Sequence, residues 1–145
     1  MDNTKPKITV IGSSNTDMVI RTNNFPAPGQ TILGGEFFMF AGGKGANQAV
    51  AAARMGAAVT FISHLGMDIF AQRAIEELKK DGINTEYISQ DPQKASGIAM
   101  ILVDGNGENE IVVAPGANDH LTEQHIINAE MAISSADLIL LQLEI

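Results

Sequence analysis

Two rhythms of apolar residues alternate along this chain, one suited to strands and one to helices. Residues 7–12 (KITVIG) form a short β-branched run closed by a glycine, the pattern of a buried strand. The polar stretch 13–17 (SSNTD) follows directly, and extended chain can resume over 18–20. Two prolines in Phe25-Pro26-Ala27-Pro28-Gly29 forbid a continuous ladder and mark a loop. Aromatic and β-branched residues over 32–40 predict a second strand. The glycines at 42, 43 and 45 then open an alanine-rich stretch that runs to Met55, with Gly56 at the C′ position of a helix. Residues 59–62 (VTFI) read as a strand. Residues 68–80 read as a helix with Phe70, Ala74 and Leu78 on one face, ended by Asp81-Gly82. Tyr87-Ile88 is a short strand at most. Residues 98–103 and 110–114 flank Asp104-Gly105-Asn106-Gly107, a strong hairpin signal. Residues 122–134 predict one helix capped by Thr122, with Ile126, Ala129 and Ile133 on its inner face, and 138–143 (LILLQL) predict an almost wholly apolar strand.

Strand and helix in alternation imply an α/β fold, a doubly wound and mostly parallel sheet flanked by helices. Two stretches break that rhythm. Residues 18–40 and 98–114 read as antiparallel ribbon and are expected to form a small β lid beside the main sheet. The chain stops at Glu144-Ile145, directly after an apolar strand, whereas buried parallel strands need cover on both faces and a following crossover. That end is expected to be an interruption, residues 1–145 forming the N-terminal part of a longer domain. The alternative is an edge strand that finishes the protein.

Composition narrows the function classes. With 145 residues, 45% of them hydrophobic, the chain can bury a core and is sized for a single domain. A net charge of −8 argues against nucleic acid and anionic lipid as partners, because both need a basic face. The absence of cysteine excludes disulfides and thiolate metal sites. No apolar run approaches the roughly 20 residues that span a bilayer, and no signal-peptide core precedes the first strand. A cytoplasmic location is the expectation. His64, His120 and His125 have no ligand spacing and read as ordinary surface or loop residues.

The candidate chemistry lies in three places. Ala41-Gly42-Gly43-Lys44-Gly45-Ala46-Asn47-Gln48-Ala49 puts glycines and a cation where a helix begins, so a ligand can approach the backbone and its free N–H groups. The glycines could equally serve tight helix–sheet packing alone. The run is no P-loop, since Gly45 follows Lys44 where Ser or Thr is required, and Gly12-Ser13-Ser14-Asn15 is no dinucleotide fingerprint. Asn15 and Asp17 come just past the first strand, on the rim where open α/β sheets bind ligands, although Asn-x-Asp also makes turns. Glu144 ends another apolar strand and shares that rim if the strand is parallel to the first; otherwise it is a solvated terminal residue.

Taken together these motifs resemble the ribokinase/PfkB family of carbohydrate kinases. The resemblance rests on Gly12-Ser13-Ser14-Asn15-Thr16-Asp17, on the run 42–49, on Gly105-x-Gly107-Glu108-Asn109, on Gly116-Ala117-Asn118 and on Gln142-Leu143-Glu144. The family signature also places glycines at Gly56 and Gly66. It covers essentially the whole chain but only the first half of the family's usual length. By resemblance, Asn15, Asp17, Gly43, Lys44, Asn47 and Glu144 would bind the hydroxyls of ribose, and Ala99 and Ile101 would touch the sugar's apolar side. The lid would close over the sugar, exclude water and pair with a second subunit's lid in a homodimer. The implied reaction is ATP-dependent phosphorylation of D-ribose at O5. A sister kinase for deoxyribose, fructose or a nucleoside is an alternative within the family, and a non-catalytic sugar-binding module is one outside it. ATP, Mg²⁺ and a monovalent cation such as K⁺ would be held mainly by the family's C-terminal half. The family's catalytic base, an Asp in Gly-Ala-Gly-Asp, does not occur in this sequence, so no catalytic residue is assigned.

Overall fold

The computed structural model describes residues 5–145, and its centre is a four-stranded parallel sheet. β1 (Lys7–Ile11) pairs with β4 (Ala58–Gly66) on one side and β8 (Leu138–Leu141) on the other, and β5 (Ile88–Asp91) extends the sheet beyond β4. Alternation along β1 and β4 explains the two cores. Val10, Val59 and Phe61 face α1 (Lys44–Arg54) and α2 (Ile69–Lys80), packing on Ala46, Ala49 and Leu78. Ile11 and Ile62 face the opposite way, onto Ala129, Leu121, Ile126 and Ile133. Helices therefore cover both faces, as the alternating pattern predicts.

The second sheet has the order β3-β2-β6-β7. β2 (Asn15–Arg21) and β3 (Glu36–Gly42) form one antiparallel hairpin, and β6 (Gly97–Val103) and β7 (Asn109–Ala114) form another. The expected small antiparallel lid is present and mostly antiparallel, with one addition: the hairpins meet along β2 and β6, which run parallel, with Asp17 opposite Ala99. Parallel pairing follows from the connectivity, because β2 and β6 each leave the main sheet in the same direction. The predicted strand over 32–40 also starts later. Gly34 and Gly35 have φ of +102° and +115°, which a ladder does not accommodate, so β3 begins at Glu36. Several apolar side chains of this sheet, among them Phe37, Phe40, Ile111 and Val112, are exposed.

The helix predicted over 122–134 is divided into α3 (Glu123–Asn128) and α4 (Glu130–Ser134) at Ala129. Ala129 is fully buried with φ −100° and ψ 11°, and its N–H donates to Ile126 O in a tight turn, so the chain bends where its smallest side chain meets the sheet. Thr122 does cap the segment, in a box with His125. His64 is not a surface residue. β4 runs on to Gly66, four residues past the predicted strand, and pairing with β5 buries the imidazole against Ser89 (2.6 Å) and Asp91, with the His125 ring at 4.5 Å.

Asp68 links the two sheets. Its carboxylate caps α2 through Ala71 N–H (2.9 Å) and accepts from Ser96 N–H (2.7 Å) and Ser96 Oγ (2.8 Å), fixing the segment that enters β6. Burial alone would raise this carboxyl's pKa, but the hydrogen bonds from Ser96, Ala71 and Phe70 outweigh it and hold the group below the usual carboxylate value.

Candidate functional site

The rim of the parallel sheet gathers the candidate residues. β1 and β8 run side by side with Ile11 opposite Leu141, so the segments that follow them emerge together. Gln142 fastens them: its Oε1 accepts from Ser13 N–H (3.1 Å) and Ser13 Oγ (2.9 Å), all buried. The start of α1 is pressed against the same place. Ala46 N–H donates to Ser13 O (3.0 Å), and a Cβ on Gly45 would lie 2.6 Å from the carbonyl carbon of Gly12. Gly45 therefore serves packing, the plainer of the two readings of the glycine run. Gly43 does more. It is the N-cap of α1 with φ +91°, carries no capping side chain, and lines the cavity with Lys44 and Asn47.

Asn15 and Asp17 do not form a turn after β1. They are already in β2, two residues apart and thus on one face, which is the face of Ala99 and Ile101 in the neighbouring strand. Gly42 lets the Asp17 carboxylate lie flat over the backbone, since any Cβ there would overlap it. Burial pushes the Asp17 carboxyl above its ordinary value by disfavouring the charged form. Across the cavity, Lys44 Nζ forms an ion pair with Glu144, joining the helix start to the segment after β8. Both side chains are largely exposed, so the pair adds little to stability and is free to exchange partners for a ligand.

Asn15, Asp17, Gly43, Lys44, Asn47, Ala99, Ile101 and Glu144 all line one open cavity of about 530 Å³. Ser13, Ile111, Val113, Pro115, Asn118 and Asp119 complete it and were not read from the sequence as site residues. Ile111 and Val113 could have been found, because hairpin register about Asp104-Gly105-Asn106-Gly107 puts them opposite Ile101 and Ala99. The arrangement is amphipathic: hydrogen-bonding groups on one wall, aliphatic side chains on the other. That suits a small polyhydroxylated molecule, whose ring has polar edges and apolar C–H faces. A larger cavity of about 660 Å³ lies between β3, α1 and α2. Arg54 and Asp81 there neutralise each other through two hydrogen bonds of 2.9 and 3.0 Å, and the sheet rim contributes only Asn15 and its immediate neighbours. Arg73, Glu76 and Glu77 line it as well, but of the residues singled out in the sequence it holds only Asn15 and Asn47, whereas the smaller cavity gathers all six and is the candidate site.

Among the described residues no group of three or more His, Cys, Asp or Glu could hold a metal ion, and no helix is long and apolar enough to cross a membrane. The hydrogen-bonding groups of the cavity suit hydroxyls.

The model of the pfkB family carbohydrate kinases matches residues 5–142. A ribokinase of Haemophilus influenzae is 44% identical over 137 residues, 94% of this chain and 45% of that protein. A deoxyribokinase of Salmonella typhimurium is 42% identical over 138 residues, 95% of this chain and 45% of its own length. Among solved structures, Arabidopsis thaliana ribokinase complexed with ribose and ATP superposes with a TM-score of 0.84 at 28% identity, covering 97% of this chain and 46% of that one. The chain thus spans slightly less than half the length of the relatives it matches.

Proposed function

Because this chain belongs to the pfkB family of carbohydrate kinases, we propose that the whole protein phosphorylates D-ribose at O5, with ATP as donor, and that residues 1–145 supply its sugar-binding half and lid. The observation that carries this reading is the convergence of Asn15, Asp17, Gly43, Lys44, Asn47 and Glu144 on one cavity beneath the aliphatic face of the second sheet. In the reaction the O5 oxygen bonds to the γ-phosphorus and gives its proton to the base assigned to the C-terminal half, the bond to the β,γ-bridging oxygen breaks, and ADP leaves. Positioning and charge neutralisation supply most of the catalysis in such a transfer. The part assigned to these residues is positioning: they fix the sugar ring so that one hydroxyl is presented to the phosphate. The family's base, Mg²⁺ and a monovalent cation such as K⁺ are assigned to the C-terminal half, since this sequence has no Gly-Ala-Gly-Asp and the described residues offer no metal cluster. The likeness to a deoxyribokinase keeps 2-deoxyribose as the second candidate sugar.

The test is ADP release by the whole protein against a panel of ribose, 2-deoxyribose, fructose and nucleosides. Ribose should give the highest kcat/KM, and residues 1–145 alone should release no ADP above background. A preference for another sugar would replace ribose, and inactivity on every sugar would leave the cavity a binding site without transfer.

The exposed apolar side chains of the second sheet, with β3 and β7 at its edges, further support a homodimer formed lid to lid; a cytoplasmic location is part of the same proposal. Sedimentation of the whole protein at micromolar concentration should give a dimer, and Val112→Glu should shift it toward monomer. A clean monomer for the wild type would rule the arrangement out.

A further inference from the structure

Asn118 is buried, 2% exposed, in the 3₁₀ turn Gly116–His120, far in sequence from the residues it holds. Its side-chain oxygen accepts from Ser14 N–H (3.0 Å). Its Nδ2 donates to Asn15 Oδ1 (2.8 Å), Pro115 O (3.0 Å) and Ser14 O (3.2 Å). These partners leave the amide no choice of orientation. A backbone N–H only donates and a backbone carbonyl only accepts, so Ser14 and Pro115 decide which end of the Asn118 amide is oxygen and which is nitrogen. The nitrogen cannot accept a hydrogen bond, so the Asn15 atom 2.8 Å from it must be the oxygen and not the NH₂, and Asn15 turns its oxygen inward. Gly97 leaves the room for this clasp, since a Cβ there would overlap both Asn15 Oδ1 and Asn118 Nδ2.

We propose that Asn118 is a positioning residue that locks the Asn15 amide with its NH₂ toward the sugar, setting a donor beside the Asp17 acceptor. Asn15 and Asp17 lie two residues apart on one face of β2. With Asn15 held this way, the pair presents one donor and one carboxylate acceptor side by side. Two neighbouring hydroxyls match that pattern, one accepting from Asn15 and the other donating to Asp17. Were the Asn15 amide free to turn, half its orientations would set two acceptors together and leave one hydroxyl without a donor. The inference rests on the reading of this cavity as a sugar site.

The experiment is a double-mutant cycle in the whole protein using Asn118→Asp, Asn15→Ala and their combination, with KM for ribose, KM for ATP, kcat and a thermal melt for each. An aspartate at 118 keeps the bond from Ser14 N–H but offers Asn15 an acceptor, so the Asn15 amide turns and its oxygen faces the sugar. Loss of one neutral hydrogen bond corresponds to about three- to tenfold in affinity, so Asn118→Asp should raise KM for ribose by about tenfold with KM for ATP unchanged. Asn15→Ala should raise it by a similar factor, and the double variant should be no worse than the weaker single variant, because both act through one amide. Full multiplication of the two effects, or a folded Asn118→Asp with wild-type KM for ribose, would overturn the proposal while leaving the sugar site intact. A wild-type KM for ribose in Asn15→Ala would instead remove Asn15 from the sugar site and take this inference with it. Asn118→Ala, judged by the same non-additivity, replaces Asn118→Asp if that variant proves too unstable to purify.

Discussion

Replacing Asp17 with alanine in the whole protein is expected to lower kcat/KM for ribose about ten- to a hundredfold or more, the largest loss of any single hydroxyl-binding side chain in this half. Hydrogen bonds to a charged group contribute about 1.5–3 kcal/mol, and each 1.4 kcal/mol is about tenfold. Asp17 lines the cavity from β2, on the face it shares with Ala99 and Ile101, and burial disfavours leaving it unpartnered, whereas Glu144 is already paired with Lys44. Asp17→Asn keeps the shape and one acceptor and should lose less. Gln48→Ala, an exposed position on α1 that does not line the cavity, should behave as wild type. Burial adds two signatures. Because it raises the Asp17 pKa, the carboxylate is protonated at higher pH than an exposed aspartate would be. Ribose capture should therefore decline as pH falls toward that raised value, and Asp17→Asn should lack this limb. The sign for stability is opposite: a carboxyl whose folded pKa is raised is a cost to the fold when ionised, so Asp17→Asn should melt no lower than wild type near pH 7. Steady-state kinetics with ribose varied at saturating ATP, beside thermal melts, decide the matter. A folded Asp17→Ala with wild-type kcat/KM for ribose would remove this carboxylate from the site.

What was legible in the sequence follows from how local each signal is. Strands and helices of the main sheet depend on period and on punctuation by glycine, so β1, α1, α2 and the hairpin about Asp104-Gly105-Asn106-Gly107 were readable within a residue or two. β4 was read too short because its last residues, Ser63 to Gly66, owe their extended form to pairing with β5 rather than to β-branched side chains. The buried setting of His64 went unread for the same reason. The parallel contact between β2 and β6 joins segments some eighty residues apart, and no local pattern encodes it. The site shows the same division. Asn15, Asp17, Lys44 and Asn47 stand next to recognisable glycines or strand ends. Asn118 and Gln142 instead act by holding other residues in place: Asn118 bonds Ser14 and Asn15, and Gln142 bonds Ser13, across more than a hundred residues. Asn118 lay in a motif that carried the family resemblance, Gly116-Ala117-Asn118, yet its task is visible only once the 3₁₀ turn is docked under β2.

The same structure separates a glycine that shapes the site from one that merely ends a helix. Gly43 has φ +91° and ψ 129°, a region that residues with a Cβ scarcely enter, and a Cβ there would lie 2.6 Å from Ser14 Cα, 2.7 Å from Asn15 N and 2.8 Å from Ser13 O. None of these is the movable end of a side chain. Gly43→Ala should therefore cost about 1–3 kcal/mol for the backbone conformation and about 1–3 kcal/mol for the overlap. Relief can come only by moving α1 or the Ser13 to Asn15 segment, and either movement displaces Lys44 and Asn47 relative to Asn15. Ribose KM should rise more than tenfold in any fraction that folds. Gly56 is the matched comparison: its φ is +99°, but nothing lies within 4 Å of a Cβ built on it. Gly56→Ala should cost only the backbone share, about 1–2 kcal/mol, and should leave KM for ribose unchanged. Denaturant unfolding of both variants measures the difference in stability, and kinetics of the whole protein measures the difference at the site. Equal unfolding free energies and equal ribose KM in the two variants would mean that the backbone at Gly43 yields freely, and that the close approach of helix start to strand end does not shape the sugar site.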